Sequence, residues 1–159
     1  MRILLIGSNG QLGKSIIKKK PNNIDLIKTS REKFDLLNHK QCQSAIYDLR
    51  PDWVINCAAY TNVDRAENDK EKAIIINGNS LEYISEALLK TGGKLIQIST
   101  DYVFDGKSKK PYKTSEKTNP LNVYGYSKVI GENHVVDILG NINRGFIIYN
   151  LTKIKNKQI

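Results

Sequence analysis

The chain has 159 residues, of which 40% are hydrophobic and 26% are charged, and its formal net charge is +9. This length suits one domain with a hydrophobic core and is short for two. No apolar run approaches the roughly 20 residues of a membrane span, so we expect no membrane partner. The basic residues are mostly scattered lysines, which argues against a nucleic-acid partner. The two cysteines, Cys42 and Cys57, lack metal-ligand spacing, so we expect a reduced, cytoplasmic protein.

Apolar runs of strand length alternate along the chain with stretches of helical periodicity. The predicted strands are Arg2–Ile6, Ile24–Lys28, Asp52–Cys57, Lys94–Ser99 and Gly145–Tyr149. The predicted helices are Gln11–Lys20 (with Leu12, Ile16 and Ile17 facing inward), His39–Leu49, 71–90 and Asn122–Leu139. Residues 105–120 are rich in Lys, Pro, Gly, Ser and Thr and predict an exposed loop. This order indicates an α/β fold, a Rossmann-like doubly wound parallel sheet of about five strands. Ligands then bind at the carboxyl ends of the strands.

Three glycines, Gly7, Gly10 and Gly13, follow the first strand at a spacing of three. In a dinucleotide site the first permits a tight turn, the second lets the backbone approach a pyrophosphate, and the third allows close packing of the helix. Backbone N–H groups at the helix start then hold the phosphates. We therefore predict one NAD(P)-binding domain over residues 1–150, followed by a polar tail over residues 151–159.

The end of the second strand indicates which nicotinamide cofactor binds. An acidic residue there favours a free ribose 2′-hydroxyl, whereas a cation accommodates a 2′-phosphate. Ser30 and Arg31 stand at this place, which favours NADPH and leaves NADH as the alternative. Asp35 and Leu36 follow and are candidates for contact with the adenine; a helix-entry turn is the other interpretation.

Small side chains follow the third strand, in the run Asn56-Cys57-Ala58-Ala59-Tyr60-Thr61. They would let a cofactor lie against the backbone at Ala58 and Ala59. A plain packing role explains them equally well.

Tyr124 and Lys128 lie one helical turn apart, on one face of the last predicted helix. A carbonyl reduced by hydride needs a proton for the developing alkoxide, and Tyr124 can donate one if its pKa is lowered from about 10. The positive charge of Lys128 would stabilise the phenolate. Thr100, after the fourth strand, can hold the carbonyl oxygen. Tyr126 lies off this face, and an ordinary amphipathic helix remains the alternative.

Four segments resemble the extended short-chain dehydrogenase/reductases and, within them, the dTDP-4-dehydrorhamnose reductases. These are Gly7–Gly13, Arg50–Asp64, Ser99–Gly106 and Pro120–Lys128. The resemblance implies reduction of the 4-keto group of a dTDP-sugar by NADPH, with Thr100, Tyr124 and Lys128 as the catalytic set. It further implies a role at the sugar for Asp101 and Tyr102, at the pyrophosphate for Gly10, Gln11 and Leu12, and beside the cofactor for Ala58, Ala59 and Tyr60. Lys128 is also expected at the nicotinamide ribose.

The chain departs from this family in two respects. Family members continue well beyond residue 159 with a substrate-gripping domain, so we expect a truncated form whose own activity is negligible. Some members bind a metal through an acidic residue just after the glycine turn; Ser15 stands there, so we predict no metal. A homodimer is left open. Two other functions are weighed: a non-catalytic NADP-binding regulatory subunit, like that of methionine adenosyltransferase, and a nucleotide-sugar epimerase.

Overall fold

Five parallel strands form one sheet in the part of the chain that the computed structural model describes, residues 1–142 and 144–148. Their order across the sheet is β2-β1-β3-β4-β5. The strands are β1 (Arg2–Ile6), β2 (Asp25–Lys28), β3 (Trp53–Asn56), β4 (Lys94–Ile98) and β5 (Gly145–Ile148). All neighbours pair in parallel. The predicted doubly wound α/β fold is therefore confirmed, with each strand ending within two residues of its predicted bound.

Helices connect the strands. They are α1 (Gln11–Lys19), α2 (His39–Leu49), α3 (Val63–Ala66), α4 (Lys70–Ile74), α5 (Ser80–Thr91) and α6 (Val123–Leu139). Short 3-10 turns lie at Asp101–Val103 and Gly140–Ile142. Among the described residues, no helix is long and apolar enough to cross a membrane.

The strand order places a switch in chain direction at β1. The chain moves from β1 to β2 on one side, and then returns to the other side for β3, β4 and β5. Helices α2, α5 and α6 pack together on one layer of the sheet. The core between them contains Leu4, Val54, Leu95, Ile84 and Leu139, each fully buried. A crevice opens where the order reverses, between the carboxyl ends of β1 and β3, and this is where such sheets bind ligands.

The predicted helix 71–90 is confirmed as helical over its whole length, but it is not α-helical throughout. A π-helical turn, Ile75–Asn79, separates α4 from α5. The turn packs closely on α6: a Cβ on Gly131 would lie 2.2 Å from the carbonyl oxygen of Asn77. Single π-helical turns are frequent at functional sites, and the one here contains Asn77.

Other features of the structure differ from the predictions, and some predictions fall outside the described residues. Leu12 was expected to face inward but is 43% exposed, because Gly13 and not Leu12 packs against the turn before α1. The short helix α3 was not predicted; its N-cap side chain, Asn62, accepts a hydrogen bond from the backbone of Arg65. Tyr149, the predicted end of β5, and the tail 151–159 lie outside the described residues.

Candidate functional site

The turn from β1 into α1 is shaped by glycines that approach other backbone closely. Gly7 has a φ of +77°, and a Cβ there would lie 2.6 Å from the backbone nitrogen of Ala58. A Cβ on Gly13 would lie 2.3 Å from the carbonyl oxygen of Gly7. Gly10 differs, because its Cβ would meet only that oxygen, at 3.4 Å. Close packing thus excludes a side chain at Gly7 and Gly13, whereas at Gly10 there is room for a Cβ.

Gly10 is also the N-cap of α1, and no side chain caps this helix end. The first N–H groups of a helix lack intrahelical partners, and the helix dipole favours an anion there. The backbone N–H groups of Gln11, Leu12 and Gly13 could therefore hold an anion at the end of β1, as predicted for the pyrophosphate.

A cavity of about 240 Å³ lies between the ends of β1, β2 and β3. Seven of the residues predicted to bind the cofactor line it: Gly7, Ser30, Arg31, Asp35, Leu36, Ala58 and Ala59. Six more were not predicted: Ile6, Ser8, Asn9, Thr29, Phe34 and Ile76. Other predicted cofactor residues, namely Gly10, Gln11, Leu12, Gly13, Tyr60 and Lys128, do not line it.

Two of the residues that were not predicted hold the wall of this cavity together. Ser8 Oγ donates a hydrogen bond of 2.8 Å to the carbonyl of Thr29, and Thr29 Oγ1 donates one of 3.1 Å to the carbonyl of Leu5. Both hydroxyl-bearing residues are buried. They fasten the end of β2 to the end of β1. The sequence signal for this connection is a hydroxyl-bearing residue just after each strand, Ser8 after β1 and Thr29 after β2.

Arg31 forms an ion pair with Asp35, with its Nε 3.5 Å from the Oδ2, and its side chain is 68% exposed. It borders a second, more open cleft of about 320 Å³, which Tyr60, Arg65 and Lys72 also line. Arg31 thus stands between the two cavities, as a cation that a phosphate could reach from solvent.

The three predicted catalytic residues occupy the carboxyl end of β4 and the first turns of α6. Thr100 follows β4, is 8% exposed, and donates from its Oγ1 to Asp101 Oδ1 at 3.2 Å. The ring of Tyr124 meets the ring of Tyr102 edge-on, with centroids 5.5 Å apart. Lys128 is 3% exposed, whereas Tyr126, expected off this face, is 53% exposed.

The electrostatics of Tyr124 differ from expectation. Burial raises its pKa above 10, a hydrogen bond with Thr100 opposes this, and the nearby Asp101 and Tyr102 raise it further. Lys128 is not among the groups that shift this pKa. The Lys128 ammonium instead donates to the carbonyl of Ile98, at 2.6 Å. The expected lowering of the Tyr124 pKa by Lys128 is therefore wrong for this arrangement.

Lys128 stands at the end of a buried hydrogen-bond chain that the sequence did not reveal. The carbonyl of Ile98 also accepts from Gln97 Nε2, at 2.7 Å. Gln97 Oε1 accepts from Asn56 Nδ2 at 2.8 Å, and Asn56 Oδ1 accepts from the backbone N–H of Ala58 at 3.1 Å. This series of hydrogen bonds connects the loop after β3, at the cavity, with the buried Lys128. The sequence signal for these hydrogen bonds is a polar residue within each of two otherwise apolar strands, Asn56 in β3 and Gln97 in β4.

Asn77, in the π-helical turn, makes a second connection. Its Oδ1 accepts from the N–H of Tyr60 at 2.8 Å, and its Nδ2 donates to the carbonyl of Tyr60 and to Ser127 Oγ, both at 3.0 Å. Ser127 in turn donates to the carbonyl of Tyr124 at 2.7 Å. Asn77 therefore joins the loop after β3 to the turn of α6 that carries Tyr124.

No group of three or more His, Cys, Asp or Glu side chains that could hold a metal ion occurs within residues 1–142 and 144–148. The absence of a metal, predicted from Ser15, stays a prediction.

Comparison with known proteins adds an independent line of evidence. Residues 1–148 match the family model described as RmlD substrate binding domain. The chain is 37% identical over 141 residues to the dTDP-4-dehydrorhamnose reductase of Burkholderia thailandensis, a match that covers 89% of this chain and 47% of that protein. The chain thus spans about half the length of the curated relatives it matches.

Solved structures agree with this comparison. A dTDP-4-dehydrorhamnose reductase from Clostridium acetobutylicum superposes with a TM-score of 0.89 at 37% identity, over 94% of this chain and 52% of that one. The enzyme from Bacillus anthracis, solved in complex with NADP, gives a TM-score of 0.87 at 36% identity, over 93% and 52%.

Proposed function

Because the chain belongs to the family described as RmlD substrate binding domain, we propose that it is the cofactor-binding and catalytic half of a reductase. In this proposal NADPH reduces the 4-keto group of dTDP-4-dehydro-6-deoxy-L-mannose and dTDP-L-rhamnose is formed. The observation that carries it is that Thr100, after β4, is hydrogen-bonded to Tyr124 and that Lys128 binds the end of β4, at the same carboxyl edge of the sheet as the cavity between β1, β2 and β3. The relatives named as dTDP-4-dehydrorhamnose reductases support the substrate class.

The residues at the cavity fit a dinucleotide. Phe34, Leu36 and Ile76 give it apolar walls that suit an adenine, and Asp35 borders the same space. The uncapped start of α1 at Gly10 suits the pyrophosphate. Arg31 suits the 2′-phosphate that distinguishes NADPH, as a cation beside the ribose does in such folds. Bound there, NADPH would supply the hydride.

Side chains of this protein would supply the proton that the keto oxygen needs. Thr100 Oγ1 would hold the keto oxygen by a hydrogen bond, which stabilises the negative charge that develops on it. The Tyr124 hydroxyl would transfer its proton to that oxygen, so that the keto group becomes an alcohol. Burial raises the pKa of Tyr124, so the phenol is protonated at neutral pH and its proton is harder to release without a positive charge beside the phenolate. The Lys128 ammonium, one helical turn from Tyr124, would supply that charge, and it would also bind the nicotinamide ribose.

Two experiments test this proposal. The chain alone is titrated with NADPH by fluorescence, and we expect saturable binding. The chain is then joined to the remaining half of the Burkholderia thailandensis relative and assayed with the keto-sugar by the absorbance of the reduced nicotinamide.

We expect the joined protein to consume NADPH and the 159 residues alone to show negligible turnover, because contacts to the remote dTDP group support orientation at the reacting carbon. Tyr124→Phe should abolish turnover and keep NADPH binding, while Tyr126→Phe, on the exposed side of α6, is the control. Binding without consumption in the joined protein would favour a regulatory NADP-binding subunit, and interconversion of sugars without net consumption would favour an epimerase. Parental turnover in Tyr124→Phe would refute the proton donor.

A further inference from the structure

Glu132 is a buried carboxylate outside the set already described. It lies on α6 one turn after Lys128 and is 5% exposed. A carboxylate is almost never buried this far without a partner, because removing its charge from water is costly. Its side chain accepts a hydrogen bond from Ser99 Oγ, and Ser99 is itself 6% exposed.

Lys128 and Glu132 bind two consecutive residues at the end of β4. Ile98 and Ser99 are consecutive at the end of β4, and Lys128 and Glu132 are consecutive turns on one face of α6. Lys128 Nζ binds the carbonyl of Ile98, and the Glu132 carboxylate binds the hydroxyl of Ser99. Two buried polar contacts thus set α6 against the strand end, directly before Thr100.

Glu132 also acts on the charge of Lys128. Burial lowers the Lys128 pKa to about 8, and the Glu132 carboxylate opposes that shift. The other ionisable groups at this edge are Asp101 and Tyr102, in the 3-10 turn after β4, and both act on the pKa of Tyr124.

We propose that Glu132 is a positioning residue, which fixes α6 to the end of β4 through Ser99 and supplies the negative charge that balances Lys128. Through its bond to Ser99 and through its charge it holds Thr100, Tyr124 and Lys128 in one arrangement. The inference rests on the proposed function only for the catalytic role of those three residues. The contacts and the charge balance belong to the chain whatever reaction it serves.

The test follows the titration of Lys128 directly, in the 159-residue chain with isotope-labelled lysine side chains. Its NMR signal is assigned by its loss in Lys128→Arg, and its pKa is measured from about pH 6 to about pH 11. Glu132→Gln keeps the shape and a hydrogen-bond acceptor for Ser99 but removes the charge. We expect the Lys128 pKa to fall by on the order of 1 unit, the effect of losing one opposite charge at close range.

Two variants serve as comparisons. Ser99→Ala removes the hydrogen bond and keeps the charge, so its Lys128 pKa should stay closer to that of the parent. Asp137→Asn removes an exposed carboxylate from the same helix and should leave the Lys128 pKa unchanged. An unchanged Lys128 pKa in folded Glu132→Gln would overturn the proposal.

A measurement on the parent chain keeps the proposal testable if Glu132→Gln does not fold. With labelled glutamate carboxyls, the Glu132 signal should report an ionised carboxylate at neutral pH; a protonated Glu132 would contradict the charge balance. None of these measurements uses NADPH or a sugar. A chain that lacks reductase activity but shows the expected shifts would refute the proposed function and leave the role of Glu132 intact.

Discussion

The side chain of Asn77 donates to Ser127 Oγ across 3.0 Å, and this bond joins the π-helical turn to helix α6. The same side chain makes two further bonds, both to the backbone of Tyr60. Asn77 is 2% exposed, so none of its bonds can be replaced easily by water. One residue therefore fixes the distance between the loop at the cavity and the turn that carries Tyr124.

Asn77→Ala is expected to destabilise the chain by about 2–4 kcal/mol, because it removes the partner of the buried Ser127 hydroxyl and of the partly buried N–H and carbonyl of Tyr60. Urea unfolding followed by circular dichroism gives the free energy of unfolding. Asn68→Ala, at an exposed position before α4, is the control and should change it by less than about 0.5 kcal/mol. An Asn77→Ala variant as stable as this control would show that the hydrogen bonds have no energetic role.

Two glycines in the turn before α1 should respond differently to an added methyl group. Gly13→Ala places a Cβ 2.3 Å from the carbonyl oxygen of Gly7, so helix or turn must move, at a cost of at least about 2 kcal/mol. Gly10→Ala has an ordinary contact at 3.4 Å and should cost only roughly 1 kcal/mol, because Ala is a poorer N-cap than Gly. Because Gly10 faces the proposed pyrophosphate position, its variant should instead weaken NADPH binding. Thermal unfolding and NADPH titration of both variants check this, and equal loss of stability would contradict it.

Arg31→Ala should weaken NADPH binding by roughly 10-fold or more and leave NADH binding nearly unchanged, since a charge-assisted hydrogen bond to the 2′-phosphate is lost. Its ion pair with Asp35 uses the Nε atom, and the side chain is 68% exposed, so the guanidinium has further N–H donors for a phosphate. Lys33→Ala removes an exposed cation from the same loop outside the cavity and serves as the control. Calorimetric titration with each cofactor measures the effect; parent affinities equal for NADPH and NADH would refute this role.

Lys128 should make stability depend on pH. Its pKa is about 8 in the folded chain and 10.5 in the absence of burial, so between these values the unfolded chain binds more protons at this group. Stability from this group therefore rises with pH, because the cost of burying the ammonium, about 3 kcal/mol, is relieved as it loses its proton.

The measurement compares the parent with Lys128→Met by urea unfolding at about pH 7, 8 and 9. As pH rises, the free energy of unfolding of the parent should increase relative to that of Lys128→Met. Burial raises the pKa values of Cys42 and Cys57 to about 12 and 11, so these thiols lower stability above their ordinary value of 9.0. Both proteins contain them, and their effect cancels in the difference. A difference that stays constant over this range would contradict the assignment.

Much of the site was predictable from local sequence because its parts are local. Gly7 follows a buried strand directly, and Tyr124 and Lys128 are one helical turn apart, so spacing alone brings each set together. The strands and α2 were likewise predicted closely, since a buried parallel strand and an amphipathic helix have distinct periods. The π-helical turn was not predicted, because Asn77 and Gly131 come together only when α5 packs on α6.

By itself, the sequence determined the alternation of strands and helices, the glycine turn, and the residues that could donate a proton, since these depend on near neighbours in the chain. The tertiary structure alone decided the electrostatics. It buried Tyr124 so that its pKa rises, turned the Lys128 ammonium to the carbonyl of Ile98, and brought Glu132 to Ser99. Burial and charge at a side chain depend on residues that are remote in sequence, and only the packing of α6 on β4 places those residues within reach.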